Sequence, residues 1–88
     1  VVVFVPLEVI GPVEDVKLIM RLWSERVGGG LDAVCVHYRD AGRLFVRIES
    51  GGVVDAGALA RDFRVGYGGE GGGSKRSAVW TVKSEELV

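Results

Sequence analysis

The residues best placed to do chemistry lie in the stretch Val65-Gly66-Tyr67-Gly68-Gly69-Glu70-Gly71-Gly72-Gly73-Ser74-Lys75-Arg76-Ser77, in which six of the eight residues from 66 to 73 are glycine. Glycine costs backbone entropy and is tolerated in bulk where the chain needs positive φ or must come close to something. One reading is a loop whose backbone N–H groups face an anion; the other is a plain structural loop. On the first reading the amides of Gly71, Gly72 and Gly73 meet phosphate, and Arg61, Arg64, Lys75 and Arg76 supply charge. The Ser74 hydroxyl adds a hydrogen-bonding group. Tyr67 offers a ring on which a base can stack, or an anchor for the loop.

The remaining reactive residue types have simpler roles. Cys35 and His37 stand two apart and share one face of a strand. No second pair stands at zinc-finger spacing, so packing is preferred to metal binding. Cys35 lies between Val34 and Val36 and reads as a small apolar residue, not as a nucleophile. Glu14 and Asp15 fit a helix N-terminus, where the helix dipole favours them. No Ser-His-Asp set, paired-carboxylate cleft or metal quartet can be assembled. In Gly73-Ser74-Lys75 the lysine comes one place too late for a Walker loop. The chain is therefore expected to be no enzyme and to need no cofactor.

These residues must be positioned by elements that the hydrophobic pattern marks out. Val1 to Ile10 predicts a strand interrupted, or placed at an edge, by Pro6. Val13, Val16, Ile19, Met20, Trp23 and Val27 form a helical stripe after Pro12, ended by Gly28-Gly29-Gly30. Leu31 to Tyr38 and Arg43 to Glu49 predict a hairpin around Arg39-Asp40-Ala41-Gly42. Leu44, Val46 and Ile48 share one face of it, and Arg43, Phe45, Arg47 and Glu49 the other. Asp55 is a good N-cap for a second helix with Ala56, Leu59, Ala60 and Phe63 as its apolar set. After the glycine loop, Ser77 to Lys83 predicts a last strand with Ala78, Trp80 and Val82 inward. Ser84-Glu85-Glu86 resembles the start of another helix. The order is β-α-β-β-α-β: an α/β (α+β) fold with one small sheet of about four strands and two helices.

Composition limits the alternatives. The 88 residues suit one domain, 1–88. Hydrophobic residues at 48% and charged residues at 26% give the balance of a folded globular chain. A net charge of −1 excludes a global basic field, so any nucleic-acid contact must come from a local patch. A single cysteine rules out an intramolecular disulfide and suggests a reducing, cytoplasmic setting. No apolar run approaches the roughly 18–20 residues that span a bilayer, and no membrane partner is expected.

The stretch Val54-Asp55-Ala56-Gly57-Ala58-Leu59-Ala60-Arg61-Asp62-Phe63, followed by Gly68-Gly69-Glu70-Gly71-Gly72-Gly73, resembles the C-terminal DHH-associated domain of RecJ-like DHH phosphoesterases. In that family a valine-aspartate helix leads into a GGGH loop, lengthened in archaeal RecJ-like members to GGEGGGH. The C-terminal domain of alanyl-tRNA synthetase has a related glycine-rich loop. The resemblance implies a module that holds nucleic acid while a separate DHH domain does the metal-dependent hydrolysis. Two departures stand out: Ser74 occupies the histidine position, and Ala78-Val79 replaces the usual Ala-Gly. Serine cannot supply an imidazolium.

The expectation is thus a non-catalytic RecJ-like module that contacts single-stranded DNA or RNA through Arg61, Arg64, Tyr67, Gly71, Gly72, Gly73, Ser74, Lys75 and Arg76, with a DNA replication complex as one setting. The alternatives are a degenerate scaffold docking on a replication protein such as GINS, or a substrate-binding fragment of a larger DHH phosphoesterase or alanyl-tRNA synthetase.

Overall fold

The computed structural model of the chain describes residues 4–87. Five strands and two α-helices follow in the order β1 (Phe4–Val9), α1 (Val13–Ser24), β2 (Ala33–Asp40), β3 (Arg43–Ser50), α2 (Ala56–Tyr67), β4 (Glu70–Gly73) and β5 (Ser77–Lys83), with a short 3₁₀ turn over Ser84–Leu87. The strands form one sheet in the order β1-β2-β3-β5-β4. β1 runs parallel to β2, and the other neighbours are antiparallel. The mixed α+β class, the element order and the two helices agree with the sequence reading. The fifth strand does not: Glu70–Gly73 was expected to be loop and instead pairs with β5 at the sheet edge.

Each element carries its sequence signal. β1 tolerates Pro6, paired opposite Cys35, because β1 is an edge strand and Pro's missing N–H can face outward; the expected strand residues 1–3 lie outside the described residues. Pro12 is the N-cap of α1 and not its first helical residue, so the helix begins at Val13, and Glu14 and Asp15 fill the first turn. The β2–β3 hairpin is tighter than the four-residue turn expected. Arg39 and Asp40 still pair, leaving Ala41 and Gly42 as the loop. Both have positive φ, 49° and 76°, as a two-residue primed turn requires. Asp55 caps α2 by accepting from Ala58 N–H at 3.0 Å.

The two helices pack on opposite faces of the sheet. Alternation within each strand decides this. Val34, Val36 and Tyr38 of β2 face α1 and meet Val16, Ile19, Met20 and Trp23. Val46 and Ile48 of β3 and Ala78, Trp80 and Val82 of β5 face α2 and meet Ala56, Ala60, Leu59 and Phe63. Each helix covers only half of its face. On the α1 side, Arg47 and Val79 are exposed and Gly72 is half-exposed; on the α2 side, Pro6, Glu8 and half-exposed Cys35 and His37 are left uncovered by α2. Two diagonally opposed half-faces therefore stay open.

Candidate nucleic-acid interface

α2 and β4 position most of the sequence-predicted site. α2 can lie directly on β4 because small residues meet there. A Cβ at Gly57 would stand 2.8 Å from the Gly73 carbonyl oxygen, and one at Gly71 would stand 3.2 Å from the Ala60 carbonyl oxygen. The glycines at these two positions are explained by close approach of backbone to backbone.

The turn after β4 is closed locally. Ser74 N–H donates to Ser77 C=O at 2.8 Å, and the Ser74 hydroxyl accepts from Ser77 N–H at 3.1 Å. Ser74 therefore serves the turn, with its hydroxyl already engaged. Lys75 and Arg76 are held by their backbones. Ala56 N–H donates to the Lys75 carbonyl at 2.9 Å, and Ser50 N–H donates to the Arg76 carbonyl at 2.8 Å. Their side chains stay exposed.

Pairing alternates along an antiparallel ladder. Since Ser74 and Ser77 are a hydrogen-bonded pair, Gly72 opposite Val79 continues that set. Gly71 and Gly73 then turn their N–H and C=O groups away from β5 toward the α2 side, where the Gly73 carbonyl packs against Gly57 and the Gly71 carbonyl faces Arg64. Of the three amides expected to face an anion, that of Gly72 is spent on the ladder, and those of Gly71 and Gly73 are not paired to β5. Arg64 reaches the same edge, with its guanidinium 3.5 Å from the Gly71 carbonyl oxygen. Arg61 lies three residues earlier, on the same flank of α2 and exposed. Arg61 and Arg64 thus flank β4 and Lys75 stands at the turn that follows it, whereas Arg76 lies apart, its guanidinium against Gly52 in the β3–α2 loop. Of the acidic neighbours, Glu70 alternates with Gly71 onto the opposite face, Asp62 lines the other flank of α2 beside Leu59 and Phe63, Asp55 is engaged as the N-cap of α2, and Glu49 accepts from the Ser77 hydroxyl at 3.0 Å.

Tyr67 was expected within a loop and is instead the last residue of α2. Its ring lies 6.1 Å from both Phe63 and Trp80, yet it remains 62% exposed. It lies on the Phe63 flank of the helix. Trp80 is core, at 2% exposure. Its ring stacks on Phe63 at 5.2 Å, and its indole N–H donates to the Gly68 carbonyl at 2.8 Å. Trp23 packs on the α1 core with Arg26 5.0 Å above its ring.

Cys35 and His37 do share a face, with Glu8 beside them at 3.7 Å from His37 Nε2. Sequence reasoning did not connect them to Phe63 and Tyr67. The available signal was the i, i+4 spacing of those two rings on α2, which aims both toward the strand that carries Cys35. Burial pushes the Cys35 thiol up to about 11, so it is protonated at neutral pH and a poor nucleophile. Among the described residues no three His, Cys, Asp or Glu side chains gather closely enough to hold a metal ion. No described helix is long and apolar enough to cross a membrane.

The sequence matches no protein-family model and no curated protein. The fold does have a solved counterpart. It is similar to the C-Ala domain of alanyl-tRNA synthetase from Aquifex aeolicus, with a TM-score of 0.64 and 20% identity, over 94% of this chain and 76% of that one. At this identity the likeness is one of fold, and it falls on the second of the two families whose glycine-rich segment the sequence resembles.

Proposed function

We propose that this chain is a non-catalytic nucleic-acid-binding module that holds RNA along the β4 edge, with tRNA as the first candidate ligand and the cytoplasm as its setting. The observation that carries the reading is the rim itself. Three cations from two segments, Arg61 and Arg64 of α2 and Lys75 of the following turn, stand along an edge strand whose Gly71 and Gly73 are not paired to β5 through their own N–H groups. Such an edge suits a phosphate backbone, because charge and N–H donors converge where no side chain intervenes. The net charge of −1 makes the clustering informative: the positive field is local, so binding is confined to one surface. The fold supports the choice of RNA, since its solved counterpart is a domain of an enzyme named for tRNA. This favours the alanyl-tRNA synthetase alternative over a RecJ-like role in replication.

Charge reversal tests the reading. The variant Lys75→Glu with Arg76→Glu is expected to fold normally, because both side chains are exposed and the turn is held by their backbone carbonyls. Its affinity for unfractionated tRNA, followed by fluorescence anisotropy at low salt, should fall about a hundredfold. Unchanged tRNA affinity in a folded variant removes the β4 rim from the mechanism. A scaffold that docks on a replication protein such as GINS would instead keep its partner after this change.

A further inference from the structure

The half-face left open beside α2 contains a groove of about 280 Å³. Its wall is Phe63, Tyr67 and Trp80, and its floor is Cys35, Leu44 and Val46, with His37 at the mouth. We infer that this groove is a site for a single unpaired nucleobase, held against the Tyr67 ring with its polar edge toward His37 and Glu8. The inference rests on the reading of the chain as an RNA-binding module and names a second contact within it.

Three observations converge on that occupant. The volume is near the lower end for ligand pockets, so it suits one ring system. The wall is rigid, because the Trp80 indole is tied to the Gly68 carbonyl at 2.8 Å and Phe63 stacks on it at 5.2 Å. Tyr67 completes the wall while 62% exposed, leaving ring surface open to a partner. Bases of every kind stack on such a surface.

The mouth supplies the chemistry that a plain hydrocarbon would not need. A neutral imidazole carries one donor and one acceptor, and a carboxylate accepts from exocyclic amino or ring N–H groups. The His37–Glu8 pair is 3.7 Å long, with 41% and 64% of the two side chains exposed, so its groups are available for exchange with a ligand. Glu8 also disfavours an anion in the groove, and the protonated Cys35 thiol keeps the floor uncharged. A neutral heterocycle meets all of these conditions. The geometry also joins the two sites. Arg64 and Tyr67 are three residues apart on α2, so a strand with its phosphates on the β4 rim brings a base around the C-terminal end of that helix.

Titration of the ¹⁵N-labelled chain with adenosine, and separately with ribose 5-phosphate, tests this by NMR. Adenosine is expected to shift the amide signals of Cys35, His37, Val46 and Tyr67 saturably, and ribose 5-phosphate to leave them in place. Tyr67→Ala should weaken adenosine about tenfold, and Tyr67→Phe should bind within about twofold of the parent. The Lys75→Glu, Arg76→Glu chain should bind adenosine normally while losing tRNA, which separates the two sites. Groove signals that stay still up to the solubility limit of adenosine would overturn the base site, even with tRNA binding intact. So would groove signals that move with protein concentration alone, which would assign the groove to a second copy of the chain.

Discussion

Gly69→Ala and Gly73→Ala are each expected to destabilise the protein by about 2–4 kcal/mol, while Gly72→Ala changes stability by less than about 0.5 kcal/mol. The three residues lie within one short run, and a generic flexible loop would tolerate all three changes alike. Gly69 has φ +78°, and a Cβ there would run into the Thr81 carbonyl oxygen and stand 2.9 Å from Val82 Cβ. Gly73 has φ +153°, and its Cβ would meet the Ser77 carbonyl oxygen and stand 2.6 Å from Ala78 Cα. Neither obstacle is a movable side-chain end, so β4 must shift off β5 to make room. Gly72 has nothing within 4 Å and no positive φ; alanine there also restricts the unfolded chain. Urea denaturation of the three variants, compared at constant m-value, reads the differences directly.

Trp80→Ala should cost about 3–5 kcal/mol, as for other large aromatic truncations in a core. Trp80 is 2% exposed and stands in the middle of the α2-side core. Its loss leaves a cavity under Phe63 and releases the Gly68 carbonyl that receives the indole N–H at 2.8 Å. Trp80→Phe restores most of the packing and omits that hydrogen bond. It is expected to cost distinctly less, with the difference from Trp80→Ala measuring the packing share. Equal losses in the two variants, read by denaturant unfolding, would place the stabilising role of Trp80 in the hydrogen bond instead of in the stack. Both chains retain Trp23 as a fluorescent reporter.

The regular elements were legible because their side chains announce them. The alternating Leu44, Val46 and Ile48 do face the α2 core, and Asp55 does cap the helix that follows it. β4 was illegible for a physical reason. Glu70–Gly73 has three glycines in four residues, so no side-chain alternation exists to read. What makes it a strand is the ladder to β5 and the close approach of α2, both tertiary facts. The same cause moved Tyr67 from an expected loop to the end of a helix, since Gly66 beside it reads locally as a helix breaker.

The opposite placement of the two helices also had to come from the structure. Each strand shows which of its residues share a face, but not which helix lies over that face. The basic residues of the site were visible as a list. That Arg61, Arg64 and Lys75 share one edge while Arg76 turns to Gly52 depended on a strand that the sequence did not reveal.

The salt dependence of RNA affinity tests the central claim most directly. Three cations along β4 on a phosphate backbone should give a slope of log affinity against log salt of about −2 for a single-stranded RNA, falling to about −1 or shallower when Lys75 and Arg76 are reversed. A slope near −2 in the parent chain that is reduced in the variant would establish the β4 rim as the phosphate contact. A slope near zero, or one equally steep in both chains, would contradict it.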